Sequence, residues 1–239
     1  MMEYDKILKL ALIPSIVFLL LSLVSVALTT HYWIIGDWIL SRGVEVPTNN
    51  FDERLQQYQM DDTMVWYIGK DTDVTIASGC LNLTAAVVAL IAWSTLRKPG
   101  MDSQYAAGKR RFWVIAVVVM TVSGAATALA SIVLHYTEKG DNDYGCTSET
   151  LMMAGKLNTN QFCTREMAAC NFLPKFIKAG ERGDATVACN ETIIVKWFQL
   201  VLIINGLLVF SMFGIQARLR RQTRDSRETS SKEALSDAL

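Results

Sequence analysis

The sequence predicts an all-α membrane protein, a bundle of four transmembrane helices with two lumenal or extracellular loops, the second of them disulfide-clamped. Three observations predict it. Hydrophobic residues fill 51% of the 239 positions, and mean hydropathy is +0.24. They are gathered into four long blocks, while the polar stretches between carry nearly all of the 23 basic and 23 acidic residues. Four of the five cysteines fall in one polar stretch, just before the last block.

Each block is close to the ~20 residues a helix needs to cross ~30 Å of hydrocarbon. Lipid offers backbone amides no partner, so each block must bond internally as a helix. A short N-terminus, 1–6, leads into the first span, 7–29. The first loop is 30–74, the second span 75–96, the short connecting loop 97–111 and the third span 112–135. The second loop is 136–192, the fourth span 193–215 and the tail, expected to be disordered, 216–239. Ser25-Val26-Ala27 offers a small-residue cleavage site, but the first apolar block exceeds the roughly 7–15 residues of a signal peptide, which argues for a retained helix.

Basic residues set the orientation, because short loops rich in Lys and Arg stay in the cytoplasm. Arg97, Lys98, Lys109, Arg110 and Arg111 sit in 97–111, and Arg218, Arg220, Arg221, Arg224 and Arg227 follow the fourth span. The first loop is acidic, with Asp61, Asp62, Asp71 and Asp73 among its charges. Both termini are therefore expected in the cytoplasm and both long loops outside, in the plasma membrane or endomembrane system. Trp33, Trp93, Trp113 and Trp197 fall near span ends, where indole rings anchor in the headgroup layer, while Trp38 and Trp66 lie farther out.

In an oxidising compartment, Cys146, Cys163, Cys170 and Cys189 imply two disulfides. The stretch from Gln161 to Leu173 reads as one helix ended by Pro174. On such a helix Cys163 and Cys170 would stand roughly 10 Å apart, beyond disulfide reach, so each is expected to pair with Cys146 or Cys189. CxxC and CxxH spacings are absent, which points away from zinc and from thiol redox chemistry. Cys80 is expected as a small buried packing residue.

Ionisable residues inside the spans, the usual mark of a transport path, are nearly lacking. Lys196 is expected to snorkel to the headgroups. His31 and His135 stand at the same side of the membrane, either as interfacial residues or as a pair. Asn82, Gln199 and Asn205 are expected to bond between helices, or alternatively to line a path. Gly79, Gly124, Ala128 and Gly206 offer small-residue packing faces inside the bundle or toward a partner. Asn190-Glu191-Thr192 is a candidate glycosylation site, whereas Asn82-Leu83-Thr84 lies within a span. Thr223, Ser226 and Ser230, beside the arginines of the tail, are candidate phosphorylation sites on a segment suited to anionic lipid. No phosphate-binding glycine loop, nucleophile elbow or zinc-protease motif occurs, so no catalytic residue, cofactor or metal is assigned.

Four spans, cytoplasmic termini, a short inner loop and a cysteine-bearing second loop resemble the topology of tetraspanins, although their Cys-Cys-Gly signature is missing from 136–192. In outline the chain is also similar to the claudin-like superfamily, of whose first-loop motif Trp33-Ile34-Ile35-Gly36-Asp37-Trp38 is a distant echo. The resemblance implies a non-enzymatic organiser of membrane domains or partner proteins; binding of other membrane proteins is expected through the second loop, and a homo-oligomer is a further expectation. The alternative is a channel, a transporter or an auxiliary subunit of one. Nucleic acid is not expected as a partner.

Overall fold

A computed structural model describes residues 3–52, 57–153 and 156–236. Its helices are α1 (Glu3–Leu10), α2 (Leu12–Ile34), α3 (Lys70–Leu96), α4 (Ala107–Thr137), α5 (Arg165–Met167), α6 (Leu173–Phe176) and α7 (Arg182–Ser236). Four helical segments, Asp5–Ile39, Lys70–Leu96, Ala107–Thr137 and Ala179–Arg224, are long and apolar enough to cross a membrane, which makes the chain an integral membrane protein. The last helix overruns its expected end. Residues 216–236 contain neither Gly nor Pro and include five Arg, a good helix former, and α7 continues where a disordered tail is expected.

The all-α expectation needs correction. Strands β1 (Gly43–Asp52), β2 (Gln57–Ile68), β3 (Thr147–Met153) and β4 (Lys156–Thr164) form one sheet in the order β1-β2-β4-β3. Hairpin partners β1/β2 and β3/β4 are antiparallel, and β2 joins β4 in parallel from Asp62↔Asn158 to Ile68↔Thr164. The two long connections are thus one structure. Local sequence supports the strands: Val44 and Val46 alternate with exposed residues, and Thr63 to Ile68 is a run of β-branched, aromatic and other apolar side chains.

Two compact units divide the chain. One comprises Met1–Leu23, Ser78–Ala126 and Val201–Leu239. Its core packs Phe18, Val117, Leu202, Val209 and Phe213 against a small-residue face of α3 made by Ala85, Ala86, Ala89 and Ala92. The other comprises Val24–Ala77 and Thr127–Leu200. Its core gathers Tyr32, Val44, Val65, Phe172, Leu173 and Val195 around the Cys146–Cys163 bridge, with Cys189 packed against it.

Both disulfides lie in this second unit, Cys146–Cys163 with Cα atoms 4.5 Å apart and Cys170–Cys189 at 4.8 Å. Cys163 and Cys170 each take one of the outer cysteines, but not from a shared helix. Gln161 to Thr164 finish β4, and Thr164 caps α5 by accepting a hydrogen bond from the Met167 N–H at 3.3 Å. Gly145 closes the turn before β3 with φ of +74°, a conformation glycine adopts without steric cost. Cys80 is exposed on α3 and not buried as expected.

Candidate functional site

The candidate site is built where the cap at Thr164 turns the chain from strand to helix and buries two adjacent charged residues. Arg165 is 8% exposed and Glu166 5%. Charged groups this deep cost several kcal/mol unless paired, so their partners define the site.

Arg165 donates from Nη2 to Asp37 Oδ2 at 2.8 Å. Asp37 belongs to a π-helical turn, Ile35–Ile39, that follows α2, and its other oxygen accepts from Arg42 Nη2 at 2.8 Å. Both guanidinium groups stand 5.3 Å from the Tyr67 ring centroid, within cation–π range. Gly36 packs beside the Arg165 side chain, where an added Cβ would meet Cδ at an ordinary contact distance of 3.7 Å. Burial pushes the Tyr67 phenol up to about 12, with Arg42 and Arg165 opposing the rise and Asp37 adding to it.

Glu166 reaches two other helices directly and a third through His135. Its Oε1 accepts a hydrogen bond from Lys196 Nζ of α7, and its Oε2 lies 3.5 Å from His135 Nδ1 of α4. The same His135 nitrogen is 3.6 Å from Asp71 Oδ2 of α3. Around them, Thr75 Oγ1 donates to the Asp71 carbonyl at 2.6 Å and lies 2.6 Å from Ser131 Oγ. Burial alone would raise the Glu166 carboxyl, but the nearby His135 and the hydrogen bond and charge of Lys196 outweigh it and hold the group below its ordinary range. One dipeptide thereby fastens the second connection to the turn after α2, to α4 and α7, and through His135 to α3.

Two expectations change here. Lys196 is buried and ion-paired, because Glu166 offers a partner that snorkelling to headgroups would forgo. His31 and His135 do not meet: His31 Nδ1 lies 2.8 Å from Glu191 of α7, while His135 sits between Asp71 and Glu166. The sequence offered one clue to this cluster, the Thr164-Arg165-Glu166 run with an N-cap residue ahead of two charges. Its partners come from segments far apart in the chain, and no local pattern marks them.

The polar and small residues expected between helices are placed as follows. Asn82 Nδ2 donates to Ser78 O at 2.9 Å and to Gly124 O at 3.3 Å, and Gly124 faces it so closely that a Cβ would collide with Asn82 Oδ1. Asn205 Nδ2 donates to Pro14 O at 3.2 Å, and a Cβ on Gly206 would stand 3.6 Å from Phe18. Gln199 Nε2 reaches Ser25 Oγ at 3.4 Å, Ala128 is fully buried and Gly79 is buried on α3. Asn190 is exposed on α7, one residue after the Cys170–Cys189 bridge. Thr223 donates to Leu219 O at 3.0 Å, and the side chains of Ser226 and Ser230 lie outside the described residues. Among the described residues, no group of three or more His, Cys, Asp or Glu is placed to hold a metal ion.

The sheet adds a surface. Alternation on β2 turns Thr63 and Val65 inward and leaves Tyr58, Met60, Met64 and Trp66 57%, 60%, 44% and 48% exposed. Trp66 Nε1 donates to Asn160 Oδ1 of β4 at 3.2 Å, so the parallel pair shares this face. Asp62, exposed on the same face between Met60 and Met64, interrupts this stripe, and Glu45 of β1, opposite it, and Glu149 of β3, opposite Asn160, add negative charge beside it. Comparison with protein-family models, with curated proteins and with solved structures finds no match. Four spans and two disulfides are compatible with a tetraspanin-like topology.

Proposed function

We propose that this chain is a non-enzymatic organiser of membrane domains, a four-span protein of the plasma membrane or endomembrane system that binds other membrane proteins through its outer assembly. In this reading both termini are cytoplasmic, as the basic residues of 97–111 and of the tail require. The arginines of the tail then face anionic lipid. The observation that carries the proposal is the contrast within the second unit. The second loop is held by two disulfides and the Arg165–Glu166 charge cluster, while the sheet it completes leaves an aromatic and methionine stripe open. Ordering costs are met before binding, and exposed Trp, Tyr and Met side chains are the residues that carry interface affinity. Asn82, Gln199 and Asn205, the lining a channel would use, each donate to another helix, which favours the organiser over the conducting alternative.

Crosslinking followed by affinity purification from native membranes tests this. A Met64→Ser, Trp66→Ser variant is expected to insert and fold yet lose specific membrane-protein partners, including any second copy of the chain, by roughly 30-fold in affinity. An unchanged partner set would overturn the reading.

A further inference from the structure

A recess of about 310 Å³ opens at the end of the first candidate span, lined by Trp33, Asp37, Trp38 and Arg42. We propose that it is a binding site for the phosphate-bearing headgroup of a bilayer phospholipid, with the phosphate on Arg42 and the headgroup held alongside Trp33 and Trp38. Three features carry this.

Charge is the first. The Asp37 carboxylate is shared by two guanidinium groups, one oxygen bonded to Arg42 and the other to Arg165, so it neutralises neither fully. Arg165 is buried, but the Arg42 side chain is 38% exposed and forms part of the recess wall. Both Arg42 bonds to Asp37 come from Nη2, to the backbone carbonyl at 3.2 Å and to Oδ1 at 2.8 Å. The remaining N–H donors of its planar fork are not spent on Asp37, and that fork matches phosphate geometry. Tyr67, under both guanidiniums, fixes the arginine in place.

Position is the second feature. The helical segment Asp5–Ile39 ends at this turn, and its 35 residues exceed the ~20 that cross the hydrocarbon, so Arg42 lies beyond the hydrocarbon, on the headgroup side of the span. Surface chemistry is the third. Trp38 is 77% exposed and Ile39 51%, an apolar shelf beside a cation, and an indole face also attracts the ammonium of a zwitterionic headgroup. An aromatic belt anchor alone would need no arginine in the recess, and it would accept any lipid.

The test uses the purified full chain in detergent micelles, titrated with phosphatidylcholine and read by native mass spectrometry. One phosphatidylcholine is expected to be retained, and diacylglycerol of the same chains, which lacks the phosphate, to bind about tenfold more weakly or worse. Arg42→Gln is expected to cause a similar loss. Because Arg42 also bonds Asp37, Trp38→Ala serves as a second variant that disturbs no buried contact, and it too should weaken retention severalfold. Equal retention of diacylglycerol, or unchanged retention in both variants, would overturn the proposal. Displacement by soluble glycerophosphocholine at concentrations equal to the lipid would also overturn it, by identifying a free phosphate ester as the ligand.

Discussion

At the scale of single residues, the Glu166–Lys196 pair is where the structure is most exposed to error by substitution. Both groups are nearly excluded from solvent, so removing one leaves the other charged and unpaired. Glu166→Gln is expected to cost about 3–5 kcal/mol, measured as a lowered unfolding temperature in micelles. Replacing both residues, Glu166→Met with Lys196→Met, is expected to cost less than either single change, because no orphaned charge remains. A double variant worse than the sum of the singles would contradict the pairing. Acid should act through the same group. The folded-state carboxyl is held below its ordinary 4.5, so its stabilisation is complete above that value and is lost as pH falls through the depressed one. Unfolding temperature followed from pH 6 downward should therefore fall below about 4.5 in the wild type and fall less steeply in Glu166→Gln. Parallel curves would remove Glu166 as the source.

Among elements, helix packing and the disulfides give separate predictions. Gly124→Ala drives a methyl group into Asn82 and should destabilise by about 1–3 kcal/mol, whereas Gly214→Ala, with nothing within 4 Å of its added carbon, should be neutral or gain up to about 1 kcal/mol from helix propensity. Thermal unfolding of the two variants side by side checks the pair. Each disulfide closes a short stretch, with 17 and 19 residues separating its cysteines, and each should contribute about 3 kcal/mol, measured by unfolding Cys146→Ala with Cys163→Ala and Cys170→Ala with Cys189→Ala against the intact chain.

The same elements show what a linear reading can reach. The four long helices were legible because hydropathy is a local signal, and Asn82 and Asn205 were legible as interhelical donors because lipid leaves them no other partner. The sheet was not. Val44 and Val46 did alternate, but the parallel β2–β4 pairing that makes a sheet of two loops joins Asp62 to Asn158, and nothing near either residue announces the other. Residues 161–164 read as the start of a helix, and the pairing with β2 and the cap at Thr164 place them in a strand instead. Lys196 and His135 read as span-end residues, and Asp71 as a charge of the first loop, for the same reason. Their charges acquire meaning only when Glu166 is brought among them by the fold.

At the scale of the whole molecule, four apolar helices suit the chain to a membrane, and the exposed stripe of the sheet is its proposed contact with partners. This contact is tested most directly by placing a photo-crosslinking amino acid at Met64, within the stripe, and in a parallel preparation at Thr186, exposed on α7. After irradiation of native membranes, Met64 is expected to give discrete adducts with membrane proteins and Thr186 none of the same mass. Absence of adducts from Met64, or the same adducts from both positions, would contradict the account.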